Sequence, residues 1–316
     1  MKRRSPLITD KPNELLDYLE LCALTDRDGN GSVSQLKSDL GITGSQDALG
    51  EEEQPITPIS DYVEAAIDAA FTEAEYRIRA CTPDHYPFAL ERKTLFRRDK
   101  DLSSVYSFLL GLSLFGEAAV DKIDGAKLFE EVCACAARVY FGSAESPADY
   151  HIFGFPRRIG PKDFCGALED LCLRKIEEGK PDTKFPTIHT MKDAGLDVVT
   201  WRSFPDKRSS KFIAFGQCAT GKHWWGKRHE LQPGDWCRTW MTKMPHVIPL
   251  KMFFVPHSVS SDEWVELGYQ AGIIFDRFRI SHFSEKNLPK ILRASLQKWS
   301  RSAFTKKEFS YTETTE

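Results

Sequence analysis

The spacing of apolar residues changes character about halfway along the chain. In the first half, the stretches "ISDYVEAAIDAAFTEAEYRIRAC", "SSVYSFLLGLSLFG" and "GAKLFEEVCACAARVYFG" carry apolar residues three and four positions apart, which predicts helices. Near the start of the first stretch, Ser60 or Asp61 can cap a helix, and the last stretch ends at a glycine. The pattern predicts a mostly α-helical N-terminal region over residues 1–150.

Residues 151–316 mix helical and strand-like patterns. The helical stretch "KDFCGALEDLCLRKIEEGK" precedes three strand-like runs, "FPTIHT", "GLDVVTWRSF" and "KFIAFGQCAT". The polar segment "PDKRSS" joins the last two runs and is typical of a hairpin connection. Another apolar strand, a helix, a short strand and a basic helix follow. This order predicts an α/β domain with a mixed β-sheet flanked by helices.

Composition narrows the class of protein without naming a function. The 316 residues are 41% hydrophobic and 28% charged, which is typical of a globular protein. The formal net charge is -3, so bulk charge gives no support for nucleic-acid binding, and a binding surface would need local clustering. No apolar run is long enough to cross a bilayer, and no secretory signal is recognisable. The eight cysteines form no CxxC pair, which favours buried thiols in a reducing cytoplasm.

The stretch "TDRDGNGSVSQL" has the alternating oxygen ligands of a calcium loop. Such a loop needs a glutamate at its twelfth position, and Lys37 stands there instead. We therefore interpret the stretch as a polar turn between short helices.

Three residues of the second half combine into a candidate ion site. Glu169 lies at the edge of a helical apolar stripe, Asp197 lies early in one strand-like run, and Gln217 lies at the end of the next. If the two runs pair as an antiparallel hairpin, Asp197 and Gln217 come together at one end of the sheet. Two carboxylates and an amide oxygen suit Mg²⁺ or Mn²⁺. Taken singly, Glu169 also fits a solvated helix residue and Gln217 a turn cap, whereas burying Asp197 without a partner is costly.

These motifs resemble those of a known superfamily. A glutamate in a helix, then "GLD" in a strand and "QCA" in the next strand, is similar to the PD-(D/E)XK nuclease superfamily in its Mrr-like restriction-endonuclease branch. The similarity covers about residues 162–255. It implies a restriction-endonuclease-like fold and a divalent ion held by Glu169, Asp197 and Gln217. It also implies hydrolysis of phosphodiester bonds.

One position departs from the superfamily's pattern. The resemblance implies a catalytic lysine two residues after Gln217, where this chain has Ala219. Lys222, just beyond the strand, is the best substitute, while Lys192 and Lys227 are weaker candidates. The departure leaves open a second interpretation, in which the fold has lost catalysis and serves as a DNA-binding or scaffolding subunit.

Basic and aromatic residues provide candidate nucleic-acid contacts. The segment "KHWWGKRH" interleaves tryptophans with cations, and the segment "FPDKRSSK" places cations on a hairpin tip. Paired tryptophans are equally typical of a buried junction. The candidate contacts are Lys207, Arg208, Trp224, Trp225, Lys227 and Arg228.

From these patterns we expect a cytoplasmic, Mg²⁺-dependent deoxyribonuclease. Bacterial proteins with this resemblance commonly serve in restriction or anti-phage defence, which implies DNA and companion defence proteins as partners and no membrane. Cutting both strands of a duplex would favour a homodimer. The N-terminal region carries no chemical motif, and a sensing, partner-binding or DNA-binding role remains open.

Overall fold

A computed structural model describes most of the chain, in two compact units that comprise residues 1–102 and 103–316. The described residues are 11–39, 58–81, 85–98, 105–117, 120–188, 190–221 and 223–305, without the side chains of 39 and 58–63. The unit boundary precedes the predicted boundary at residue 150. Two helices that we assigned to the N-terminal region therefore belong to the α/β unit.

In its described residues, the N-terminal unit combines three helices with a small antiparallel sheet. The helices are α1 (Pro12–Thr25), α2 (Val33–Asp39) and α3 (Pro58–Ala80), and the strands β1 (Asn30–Ser32), β2 (Phe88–Glu91) and β3 (Thr94–Arg97) pair in the order β1-β3-β2. Gly31 allows β1 to approach α1, because a Cβ there would lie 2.5 Å from the carbonyl oxygen of Leu19. The predicted polar turn is present: the Asp28 amide donates to Asp26 Oδ2 at 2.9 Å.

The second unit contains a mixed five-stranded sheet with the order β10-β9-β7-β6-β4. Its strands are β4 (Asp149–Ile152), β6 (Val198–Arg202), β7 (Phe212–Cys218), β9 (Leu250–Phe254) and β10 (Ile273–Phe275). β6 is antiparallel to both β4 and β7, whereas β7, β9 and β10 are parallel. The predicted hairpin is thus confirmed. β5 (Lys180–Pro181) and β8 (Met241–Lys243) form a separate two-stranded sheet.

One predicted strand is wrong. The run Phe185–Thr190 forms turns wherever it is described, and the Ile188 amide donates to the Phe185 carbonyl oxygen at 3.1 Å. Pro186 lacks the amide hydrogen that a strand ladder requires, which disfavours pairing there. The outer strand beside β6 is instead β4, which the sequence pattern did not predict.

Helices cover both faces of the five-stranded sheet. One core contains Val198 and Ala214 and is formed with α4 (Val105–Phe115), α5 (Gly125–Tyr140), α10 (Arg277–Ser284) and α11 (Lys290–Thr305). The opposite core contains Val199 and Phe215 and is formed with α6 (Phe164–Asp170), its π-helical continuation Leu171–Lys175, and α8 (Pro233–Trp240). Adjacent strand residues thus point to opposite cores, as a sheet buried on both faces requires.

A third, smaller cluster lies at the β9–β10 side of the sheet. It packs Phe253 and Ile274 with Ala219 and includes tryptophans of α7 (Trp224–Lys227) and α9 (Ser261–Ala271). A 3₁₀ turn, Glu285–Asn287, links α10 to α11. All eight cysteines lie in the described residues, and no disulfide joins any of them. Among the described helices, none has both the length and the apolar character to cross a membrane.

Candidate metal-binding site

The backbone of Asp197 is fixed where three strands meet. Its amide donates to the Gly216 carbonyl oxygen at 2.9 Å. Its own carbonyl oxygen accepts from the amides of Phe153 at 2.7 Å and Gly154 at 3.1 Å. Since Val198 lies opposite Gly216, continuing the register by one residue brings Asp197 beside Gln217. The sheet end that the sequence analysis selected therefore does gather these two residues.

The Asp197 carboxylate faces a helical acid across a glycine. Asp197 Oδ2 accepts from the Cys218 amide at 2.7 Å. A Cβ built on Gly154 would lie 2.9 Å from Asp197 Oδ1 and also 2.9 Å from both carboxylate oxygens of Glu130. The two carboxylates are therefore no farther apart than twice that distance. Gly154 leaves open the space between them, which any larger side chain would fill.

Glu130 reaches this position from α5 together with a lysine. Lys127 and Glu130 are three residues apart on the helix, so they share a face. Lys127 Nζ lies 2.7 Å from Glu130 Oε1 and 2.9 Å from Glu130 Oε2. It also donates to the Phe155 carbonyl oxygen at 2.9 Å. Both side chains are buried, and three short contacts hold the ammonium in place.

Burial raises the pKa of both carboxyl groups, and the charge of Glu130 adds to the shift of Asp197. The pKa of Asp197 is raised to about 8, first by burial and then by the charge of Glu130, with a smaller contribution from Asp193. The Cys218 amide and the charge of Lys127 oppose this shift. The pKa of Glu130 is raised to about 7 by burial, against the lowering effect of Lys127. Near neutral pH the pair thus holds protons that a bound cation would displace.

Gln217 contributes an amide oxygen that has no partner. Its side chain is 3% exposed, and its Nε2 donates to Glu230 Oε2 at 2.6 Å. The Oε1 atom is buried, and no hydrogen-bond donor among the described residues reaches it. Burying a carbonyl oxygen without a donor is costly, so this atom is suited to accept a ligand.

The helical acid that the structure places beside Asp197 differs from the predicted one. Glu169 is exposed near the end of α6, and the charges that act on Asp197 are those of Glu130, Asp193 and Lys127. We therefore replace Glu169 by Glu130 as the helical acid. The sequence analysis missed it because it lies in a helix that precedes the region of similarity.

The lysine position is also changed. Ala219 is fully buried in the small cluster beside β9 and supplies no charge. Lys222, the predicted substitute, lies outside the described residues. Lys127 is the ammonium that the structure brings to the carboxylates. An available signal was its position three residues before an acid on an otherwise apolar helix face.

Two predicted nucleic-acid contacts lie far from the carboxylates. Lys207 and Arg208 are exposed on the turn between β6 and β7. Asp197 immediately precedes β6, so this turn lies at the opposite end of that strand, about 15 Å away at the usual rise per residue. These two cations therefore cannot contact the phosphate that Asp197 would contact.

The tryptophans are part of the packing around α7. Trp224 stacks on His257 with ring centroids 5.4 Å apart, and both tryptophans are half-buried. The Arg228 guanidinium lies 4.5 Å from the centroid of the Trp225 ring and donates to Glu266 at 3.2 Å. Lys227 is half-buried on the same short helix. Packing thus accounts for the tryptophans and Arg228.

The donor set suits an ion that keeps much of its water. Within the described residues, no group of three His, Cys, Asp or Glu side chains is placed to hold a metal ion. Glu130 and Asp197 form a pair, and Gln217 is the register neighbour of Asp197, with its side chain on the face of β7 that carries Phe215. Mg²⁺ commonly binds through one or two carboxylates and retains several waters, which fits this set better than it fits zinc chemistry.

Comparison with known proteins identifies no relative. No protein-family model matches the chain, and neither curated proteins nor solved structures include a significant match.

Proposed function

We propose that this chain is a divalent-metal-dependent nuclease that hydrolyses phosphodiester bonds of DNA. One observation carries the proposal: two carboxylates from a helix and a strand end converge across Gly154 with raised pKa values of about 7 and 8. Sites with such perturbed acids are typical of catalysis and metal binding. The five-stranded order with β6 antiparallel to its neighbours is compatible with a restriction-endonuclease-like fold. A role in restriction or anti-phage defence belongs to the same proposal.

The proposal gives each side chain a task. Glu130 and Asp197 hold the cation, and Gln217 Oε1 provides a neutral oxygen at the edge of the site. A divalent ion there would polarise the phosphodiester and activate water. Lys127, whose ammonium is buried beside Glu130, stabilises the negative charge that develops on the phosphate. It takes the role that Ala219 cannot fill.

Plasmid nicking in Mg²⁺ or Mn²⁺ tests the proposal, with EDTA as the metal-free reference. We expect Asp197→Asn and Glu130→Gln to lower the cleavage rate on the order of a hundredfold or more. Glu169→Gln is the matched control, because it neutralises an exposed acid that lies away from the pair. A Glu130→Gln protein that cleaves like the wild type, or a Glu169→Gln protein that does not cleave, would refute the assignment.

A DNA-binding or scaffolding subunit without catalysis is the second candidate. The buried Ala219 favours it, because the superfamily's usual lysine position carries no charge. Binding of DNA in EDTA without nicking in either metal, across linear, supercoiled and single-stranded substrates, would support this candidate. If the wild type nicks DNA, and Lys127→Met abolishes nicking but still binds DNA, the non-catalytic candidate is excluded.

A further inference from the structure

A basic loop begins directly at the carboxylate pair. After Gly154 the chain continues as "FPRRIGPK", which has three cations and no acid. Its first residue, Phe155, is fixed on both sides of its backbone. The carbonyl oxygen accepts from Lys127 Nζ at 2.9 Å, and the amide donates to Asp193 Oδ2 at 3.2 Å. The loop therefore starts at a position defined by the site itself.

The Phe155 ring faces solvent although its backbone is held in the site. The residue is 43% exposed. Lys192 Nζ lies 5.6 Å from the ring centroid, and the Lys192 side chain is exposed. An exposed ring with a cation beside it provides a stacking surface for a flat group next to a site for a phosphate.

Internal hydrogen bonds connect the loop to the segment that carries Lys192. Arg157 is buried, lies 4.6 Å from the centroid of the Phe153 ring, and donates to the carbonyl oxygens of Lys162 at 3.1 Å and Lys192 at 2.5 Å. Arg157 therefore serves the structure of the loop and is not available to a ligand. It fixes the position of Lys192 relative to the ring.

Two cations of the loop are exposed, and one of them, Lys162, donates to the carbonyl oxygens of Arg157 at 2.6 Å and Arg158 at 3.0 Å within the loop itself. Arg158 is the exposed cation whose partner a ligand can replace. Its side chain is 55% exposed and forms a surface ion pair with Glu131 at 2.5 Å. Exposed ion pairs contribute little to stability, so a phosphate can replace Glu131 as the partner at little cost. Arg158 and Lys192 thus place two cations near an exposed ring and beside the acids.

We propose that Phe155, Lys192 and Arg158 form a nucleotide platform: an unpaired base stacks on the Phe155 ring while the two cations contact flanking phosphates. This inference rests on the proposed function and specifies its substrate class. Bases in a duplex are already stacked on their neighbours, so the platform selects DNA with unpaired nucleotides. The half-buried Trp224 and Trp225 offer no equivalent ring.

Binding in EDTA tests the platform separately from cleavage. The full chain is titrated into a fluorescent single-stranded oligonucleotide, and then into the matching duplex, with anisotropy as the readout. We expect tighter binding to the single strand and a loss of about tenfold for Phe155→Leu, since stacking on an aromatic ring is lost. Phe155→Tyr should retain binding. Lys192→Glu should weaken binding and reduce its dependence on salt concentration.

A matched control lies on the turn between β6 and β7. Phe204 is 56% exposed on that turn. We expect Phe204→Leu to bind the single strand like the wild type. Thermal unfolding of each variant verifies that it is folded.

The outcomes separate the two proposals. Equal loss in Phe155→Leu and Phe204→Leu, no loss in Phe155→Leu, preference for the duplex, or no binding by the wild type would each overturn the platform. Binding that depends on Phe155, without nicking in any metal, would retain the platform and overturn the nuclease. If the wild type nicks DNA and its Phe155→Leu variant binds the single strand normally, the nuclease proposal is retained and the platform is overturned.

Discussion

The two units each bury a group of acids with one cation, and the groups differ in how the acids are satisfied. In the N-terminal unit, Arg77 donates to Asp17 at 2.6 Å, to Glu20 at 2.9 Å and to Glu73 at 3.2 Å. Glu20 also accepts from the Tyr86 hydroxyl at 2.7 Å. Each carboxylate therefore has a direct bond from a charged donor.

In the group around Asp197, one of the two carboxylates lacks a bond from a charged donor among the described residues. Lys127 contacts Glu130, while Asp197 receives a backbone amide and forms no ion pair within the described residues. The fully matched group around Arg77 has the character of a structural ion cluster. The incompletely matched group has raised pKa values, and the register neighbour of Asp197, Gln217, has an amide oxygen that no donor among the described residues reaches. Buried acids alone thus do not separate a structural cluster from a candidate site, whereas the absence of a matching cation does.

The largest expected effect on stability comes from breaking the ion cluster around Arg77. Arg77→Met removes the cation and leaves three carboxylates without it, so we expect a loss of 3 to 5 kcal/mol, the usual range for breaking a buried pair. Urea unfolding measures the free energy. Arg79→Met is the matched control, because Arg79 lies on the same helix in an exposed pair with Glu75. Equal losses in both variants would contradict the structural role of Arg77.

The second expected effect is a gain in the free energy of unfolding, and its size depends on pH. In the unfolded chain Asp197 ionises near its ordinary pKa of 3.8, whereas in the folded protein it keeps its proton until about pH 8. Stability is therefore lost as pH rises between these values. We expect Asp197→Asn to gain stability relative to the wild type as pH rises from 4 to 8, with no difference near pH 4. Urea unfolding at several pH values measures this.

Asp235→Asn provides the control for this pH dependence, because Asp235 lies in an exposed pair with Arg238. It should follow the wild type across the pH range. A wild-type protein that gains stability from pH 5 to pH 8 by an amount that Asp197→Asn abolishes would contradict the raised pKa.

The sequence predicted the hairpin but not the helical acid, for physical reasons. Two strand-like runs joined by a polar turn define both strands and their register, so the ends carrying Asp197 and Gln217 meet as expected. The position of α5 over those ends depends on tertiary packing, which no local pattern encodes. Glu169, in a helix next to the motifs, was therefore the natural choice from sequence, whereas the structure brings Glu130 to Asp197.

A third expected effect comes from filling the site. A divalent ion that binds the folded protein stabilises it by about 1.4 kcal/mol at ten times its dissociation constant. We expect Mg²⁺ or Mn²⁺ to raise the midpoint of thermal unfolding of the wild type. The gain should grow between pH 6 and pH 8, because protons compete with the ion on carboxyls whose pKa values are about 7 and 8. An equal gain in Asp197→Asn would place the ion elsewhere.

The smallest expected effect tests whether the side-chain oxygen of Gln217 binds the ion or only supports the local structure. Gln217→Met removes the amide, including the orphaned Oε1 and the bond to Glu230. Glu230 is exposed and can bond to water, so we expect stability without metal to change by less than about 1 kcal/mol. The gain from Mg²⁺ should decrease, whereas Gln232→Met, which removes an exposed amide, should leave it unchanged. A large loss of stability with an undiminished Mg²⁺ gain would show that Gln217 positions the loop of Glu230 and does not contact the ion.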